Sequence, residues 1–399
     1  MVYTFDSSMT GAPVLSGTAG ALRAVLKACM VDGFGAGAVA TLTVAAGIAT
    51  ASFAGAHPYR IGTIAQFGGA TPAGLNGQKR ILSTTASAVT FDATGIADGT
   101  ATGTITHKVA AAGWQELFAG SVTNVLCLKP TVVEATGCVL RVDDTGTISA
   151  RVVGYESMSD ANTGVGAFPN AAQLSGGAHW AKSVSAGVTP IAWDLVADDR
   201  AFYLCIAYFM GHNPGYVGRT VYFFGDFDSQ KSGDAYNAAL LGASLADRSL
   251  GSLMYRYAAP GVGDAVYVAR SHTQVGGSVA CGRYSAILAP TSSNADSNFS
   301  GKDAYCGTYP NAPSNGLIVS QVNLLEGTSV ASASWRGTFP GAYHSPQKIN
   351  PGTFSPGDRV NAEGVLAGRV LMAVTGESGS LDVGSLAATM FIDITGPWR

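Results

Sequence analysis

The sequence predicts an all-β protein with an N-terminal amphipathic helix, a small β-barrel or sandwich module, and a larger antiparallel β-sandwich-like domain. Short runs of β-branched and aromatic residues recur at roughly ten-residue spacing, the pattern of sandwiches and barrels. Gly, Asn, Asp and Pro separate the runs, and these residues supply turn geometry. A sustained helical period occurs in one stretch, near the N-terminus. The expected divisions are an arm with the helix over 1–36, the small module over 37–110 and the larger domain over 111–399.

The helix lies in "SGTAGALRAVLKACMVDGFG", within residues 14–34. Leu22, Val25, Leu26, Cys29 and Met30 follow i, i+3, i+4, i+7, i+8 and form one apolar stripe. Arg23 and Lys27 take the other face. Ser16 or Thr18 is the expected N-cap and Gly33 the terminator. One amphipathic helix cannot bury its stripe alone. Leu22, Val25, Leu26 and Met30 must dock on the β domain that follows or on another subunit, and they are the candidate interface.

In the module, strands are expected over 40–44, 48–53, 61–67, 80–84, 88–91 and 103–109, with Ile105, His107 and Val109 on one side. Residues 35–57 are uncharged but studded with Gly, Thr and Ser, which argues against a membrane span. Further on, "VLRVDDTGTISARVVGY" reads as a hairpin turning at Asp143-Asp144-Thr145-Gly146. "WDLVADDRAFYLCIAYF" reads as two strands around Asp198-Asp199-Arg200. "TVYFFGDF", "DAVYVARS", "LIVSQVNLL", "RVLMAV" and "MFIDITGPW" are further strands, and a second helix is expected over 234–241.

Composition narrows the function. Charged residues are 12% of the 399, about half of the roughly 25% usual in soluble domains. Such a surface suits a protein that buries much of its outside against neighbours, so a homo-oligomer is expected. The net charge is −3 and no Lys/Arg cluster appears, which excludes a phosphate-tracking surface for nucleic acid. The start, "MVYTFDSS", lacks the cationic and apolar regions of a signal peptide. The six cysteines are dispersed without C-x-x-C spacing. Free buried thiols are the expectation, with Cys127 and Cys138 the one pair placed to face each other across a hairpin.

Candidate chemistry is sparse. "GGATPAGLNGQKR", residues 68–80, has glycines at Walker spacing, but Leu75 and Asn76 stand where Lys and Ser/Thr are required, so it reads as turn chemistry. There Asn76-Gly77 would supply positive φ angles, Pro72 would fix the approach, and Lys79 and Arg80 would begin the next strand. "VDDTG" lacks the second Asp-Thr/Ser-Gly of an aspartic protease and reads as a turn. Asp226, Asp228 and Asp234 form a candidate hard-cation loop without EF-hand spacing; a solvated loop competes. "GGSVA" misses the Gly-x-Ser-x-Gly elbow at its last residue. The six histidines stand singly at 57, 107, 179, 212, 272 and 344. Asp226, Asp228 and Asp234, or Glu156 with Asp160, are the carboxylates a glycosidase reading would need. Trp180, Trp193, Tyr203, Tyr208, Phe209, Tyr216, Tyr222, Phe223 and Phe224 crowd one region and suit a core, an interface or a glycan platform. No catalytic residue, cofactor or metal ligand is assigned, and the chain reads as a non-enzyme.

The stretch "AHPYRIGTIAQFGGATPAGLNGQKRILSTTASAVTF" resembles a small β module of tailed-bacteriophage virion proteins, through His57, Gly62, Gly69 to Gly74, Asn76-Gly77, Ile81 and Phe91. The whole chain resembles structural proteins of siphophages and prophages, in "TGAPVLSGTAGAL", "LRVDDTG", "ARVVGYESMSD", "GRVLMAV" and "FIDITGPWR". The resemblance implies a virion component, of the tail tip or baseplate, made in the host cytoplasm and assembling with other phage virion proteins. A receptor- or glycan-binding fibre or a capsid decoration protein is the alternative, with a host-surface glycan as its ligand. Neither a membrane nor a nucleic acid is an expected partner.

Overall fold

"AFYLCI" and "TVYFFGD" are apolar at nearly every position, whereas a strand with one wet face alternates. Both must be covered on two sides. The structure, a computed structural model, describes residues 1–211, 218–244, 252–255, 257–258, 266–285, 299–302, 306–310, 316–327, 332–350, 352–376 and 388–399. All positions of Ala201–Ile206 and Thr220–Asp226 are buried. These strands lie within a 14-stranded sheet, beside Trp193–Ala197 on one side and Ala238–Leu241 on the other.

The sheet rolls. After Thr220–Asp226 the chain runs on into Asp228–Ser229, which pairs with Ser334–His344, a strand from the far half of the same sheet. Phe223 and Phe339 therefore meet inside, ring centroids 4.9 Å apart. Val221, Phe223, Leu241, Val374 and Ile392 share this interior core. The opposite faces of the first half, through Phe202, Leu204, Tyr222, Phe224 and Leu240, join a second core. That core is closed by a five-stranded sheet built from residues 115–181. Each fully buried Phe or Leu contributes roughly 1.5–3 kcal/mol. The described aromatics of that run form core or pack against it: Trp180, Trp193, Tyr203, Tyr222 and Phe223 are fully buried. Tyr216 and His212 lie outside the described residues.

All strands of the eight-stranded sheet come from residues 34–109. Phe34–Ala38 pairs with Thr106–Val109, and the next residues, Thr41–Ala45, pair with Ile48–Ser52. One bent segment thus joins the two ends of the sheet, which folds back around Leu42, Val44, Phe67, Ile81 and Phe91. Ile105, His107 and Val109 all point inward.

The loop of residues 68–80 departs from its sequence reading. Gly77 has φ of +89°, but Asn76 is extended at −81°. Asn76 acts through its side chain: Oδ1 accepts from the Ala70 amide at 2.8 Å and Nδ2 donates to the Ala70 carbonyl at 2.7 Å. A Cβ on Gly69 would lie 2.1 Å from the Thr104 carbonyl oxygen, so that residue is confined to glycine by contact as well as by its φ of +78°. Arg80 reaches out of the module to the carbonyls of Val2 at 3.5 Å and Thr395 at 3.3 Å. It ties the module to both end segments of the chain.

The helix is shorter than expected. Residues Leu15–Gly17 form a strand paired with Gly187–Ile191. The α-helix spans Ala21–Lys27, continues as a wider π turn over Ala28–Asp32, and stops at Gly33. Neither Ser16 nor Thr18 caps it. Asp144, from the hairpin turn, does so: its Oδ2 accepts the Arg23 amide at 3.0 Å. Leu22, Val25, Leu26 and Met30 have no solvent exposure and sit in the chain's own core. Of the two placements the sequence allows for this candidate interface, the chain's own β layers are the one on which the stripe docks here.

The second expected helix is also corrected, since Ala238–Leu241 is a strand buried at every position. Backbone pairing with Thr220–Asp226 overrides its helical propensity. Cys127 and Cys138 are free thiols. They belong to different apolar clusters, on opposite sides of their sheet.

Asp144 is fully buried beside Lys182, also at zero exposure. Lys182 donates to the Thr18 carbonyl at 2.7 Å and bonds to Asp144 Oδ1. Losing one partner leaves the other buried without its mate, which for a fully buried pair costs about 3–5 kcal/mol. Lys182→Met or Asp144→Ala should each lower unfolding free energy by about that much in urea titrations, and the double apolar replacement by clearly less.

His107 is enclosed by Phe53, whose ring centroid is 4.5 Å away, and by the Tyr59 hydroxyl, 2.7 Å from Nδ1. Burial first, and then the neighbouring His57, hold its pKa below the ordinary histidine value. The unfolded chain takes up a proton near pH 6.5 that folded His107 refuses, so its contribution is lost as pH falls from about 6.5 toward the folded pKa. Urea midpoints measured across pH 5–7 should therefore fall less steeply with acid in His107→Gln than in the wild type.

Candidate functional site

The acidic segment "GDFDSQKSGD" sits at the seam where the sheet closes on itself. Asp226 ends a central strand, and Asp228–Ser229 forms the closing pair with Gly337 and Thr338. Beside this seam opens a cleft of about 510 Å³, lined among others by Glu134, Arg200, Asp228, Lys231, Asn237 and Arg399. A second hollow of about 280 Å³ adjoins it and shares Glu134, Arg200 and Arg399.

Each aspartate of the segment is occupied. Asp226 is buried and accepts from the Thr136 amide at 3.1 Å, from Thr136 Oγ1 at 2.7 Å, and from Arg200 Nε and Nη2 at 3.1 Å. It thereby fixes the 134–136 loop against the seam. Asp228 pairs with Arg399 Nε at 3.0 Å. Burial pushes its carboxyl above the ordinary range, against the pull of Arg399. Asp234 takes Ser229 Oγ at 2.7 Å, the Tyr236 amide at 3.1 Å and the buried guanidinium of Arg336. Burial raises its pKa, but these donors outweigh that and hold the carboxyl below its usual value. Arg399 also reaches Asp198 at 2.6 Å.

The sequence placed Asp226, Asp228 and Asp234 together as a cation loop. The fold does bring them to one seam, but turns each toward a guanidinium. No group of His, Cys, Asp and Glu among the described residues is arranged to hold a metal ion. The second carboxylate pair is not assembled either. Glu156 makes a bidentate pair with Arg270, both bonds 2.6 Å, while Asp160 accepts the Asn162 and Thr163 amides at 2.8 and 3.0 Å. Arg200, Arg399 and Arg336, which decide the character of the site, come from distant parts of the chain and carried no local signal.

The cleft lining holds Arg200, Lys231 and Arg399 against Glu134, Asp228 and Asp234, an equal count of cations and carboxylates. Glu134 is exposed and Lys231 Nζ bonds only a carbonyl, that of His272, at 3.1 Å. The lining therefore offers donors and acceptors side by side with no net charge. The one large aromatic ring among the described residues that is plainly exposed is Trp335, at 49%. It neighbours buried Arg336 on the strand and so faces away from the cleft.

No family model matches the chain, and no curated protein sequence matches it. Among solved structures it is similar to a phage phi92 endosialidase, with a TM-score of 0.16 and 14% identity over 91% of this chain and 52% of that one. The chain thus spans about half the length of that protein. A likeness at this level carries no inference about fold or activity. No helix among the described residues is long and apolar enough to cross a membrane.

The seam depends on Asp226. Asp226→Ala would strip two hydrogen bonds from Thr136 and leave Arg200 unpaired. A loss of about 3 kcal/mol is expected, together with faster amide exchange over 132–138 in hydrogen–deuterium exchange, while the 34–109 module stays protected.

Proposed function

We propose that the chain is a tail-associated virion component of a tailed bacteriophage and that its cleft engages a neutral, polyhydroxylated ligand, a host-surface glycan. The observation that carries this reading is the charge balance of the cleft. Sugar hydroxyls both donate and accept, so they suit a lining that mixes guanidinium, ammonium, carboxylate and amide groups. A phosphate polymer or a polycation would need one sign to dominate. Glycoside hydrolysis needs two carboxyl groups free to act as acid and as base or nucleophile. In the seam those groups are held by arginines, which supports binding over turnover. The resemblance of residues 57–91 to a phage β module supplies the virion setting.

Assembly in the tail tip or baseplate, as a homo-oligomer with other virion proteins, is the second reading. The low charge of the chain favours it, because buried contact surfaces are depleted in charge. In either setting residues 1–36, 37–110 and 111–399 are proposed as the working divisions, with the module as an adaptor fastened through Arg80.

Two measurements test these readings. Electron microscopy of intact particles should find the chain in the tail; its absence from particles would overturn the virion assignment. Glycan-array binding by the purified chain should weaken about tenfold in Lys231→Ala and in Glu134→Ala, the loss of one charged hydrogen bond. Binding unchanged in both variants, or none at all, would overturn the cleft assignment.

A further inference from the structure

Lys182 and Asp144 are more than a cap for the helix. Among the described lysine–carboxylate pairs, theirs has both side chains at zero exposure. They come from two strand ends of the five-stranded sheet, Asp144 after Val139–Asp143 and Lys182 after Ala178–Ala181. The Thr18 carbonyl, 2.7 Å from Nζ, holds the amine in place. The Arg23 amide, 3.0 Å from Oδ2, polarises the carboxyl group from its other side.

We propose that Lys182 and Asp144 form an intramolecular isopeptide bond, Nζ to Cγ, which cross-links the sheet beneath the N-terminal helix. The reaction is a dehydration and needs no co-reactant. Proton transfer within the pair converts ammonium and carboxylate into amine and carboxylic acid. Nζ attacks Cγ, and the oxygen that becomes negative is Oδ2, which faces the Arg23 amide, a donor placed as in an oxyanion hole. The C–Oδ1 bond then breaks, and that hydroxyl leaves as water with one hydrogen from Nζ. Atoms and charge balance: one amine and one acid give one amide and one water.

Burial makes the step reasonable. In water the pair ionises, and an ammonium ion is no nucleophile. In an apolar site the charged forms are penalised. Burial outweighs the attraction between the partners, raising the pKa of Asp144 and lowering that of Lys182, and both shifts favour the neutral pair. The product amide leaves no ion in the core.

The test is peptide mapping of the full-length chain by mass spectrometry, on fresh protein and after prolonged incubation. The expected result is a linked peptide pair containing Asp144 and Lys182, lighter than the two separate peptides by one water. It should vanish in Lys182→Arg. Recovery of both peptides separately at unmodified mass from folded wild-type protein would overturn the proposal, and so would a linked pair that persists in Lys182→Arg. The wild-type measurement needs no variant, so a variant that fails to fold does not blunt it.

Discussion

A central strand that cannot face water sets the terms for this protein. Thr220–Asp226 is buried along its whole length, with Phe223 turned into the rolled interior and Phe224 into the core beneath the five-stranded sheet. Neither core closes without the other, because they share one backbone layer. The roll of the large sheet follows from this. An open sheet would leave Val221 and Phe223 in water, so the chain turns back at Phe227 and Ser334–His344 covers them.

With so few charges, many of the described ones act as fasteners. Asp226 joins the 134–136 loop to the seam, Arg399 joins the last segment to Asp198 and Asp228, and Arg336 joins the far half of the sheet to Asp234. Asp144 and Lys182 hold the helix start to the five-stranded sheet, and Arg80 holds the module to residues at both end segments. Most of these groups sit where layers meet and are largely buried, and partner loss at such sites costs more than at a surface pair. The same economy shapes the cleft, where Asp228 and Asp234 are held by neighbouring guanidinium groups. What remains toward solvent is a balanced polar surface suited to recognition.

Most strands were legible as sequence. The module's runs, the hairpin at Asp143–Gly146 and the paired strands about Asp198–Arg200 fall where turn residues and β-branched runs place them, because those signals are local. The helical stripe was legible too, including its stop at Gly33. Its partner was not: whether Leu22 and Met30 meet their own domain or another chain depends on layers more than a hundred residues away. The candidate site was legible in half. Acidic residues near 226–234 stood out, but the arginines that neutralise them lie at 200, 336 and 399.

By itself the sequence determined the alternation of strands and turns, the apolar face of the helix, and the scarcity of charge, since each is written in neighbouring residues. Tertiary structure alone decided that Ala238–Leu241 is a strand despite its helical composition, because a both-faces-buried slot beside Thr220–Asp226 demands backbone partners on each side. It also decided that Asp143 and Asp144, adjacent and chemically identical, part company. Asp143 serves the turn at Thr145, while Asp144 is carried into the core to meet Lys182. The reason is geometric: successive side chains on an extended backbone point to opposite faces, and only the packed layers determine which face is dry.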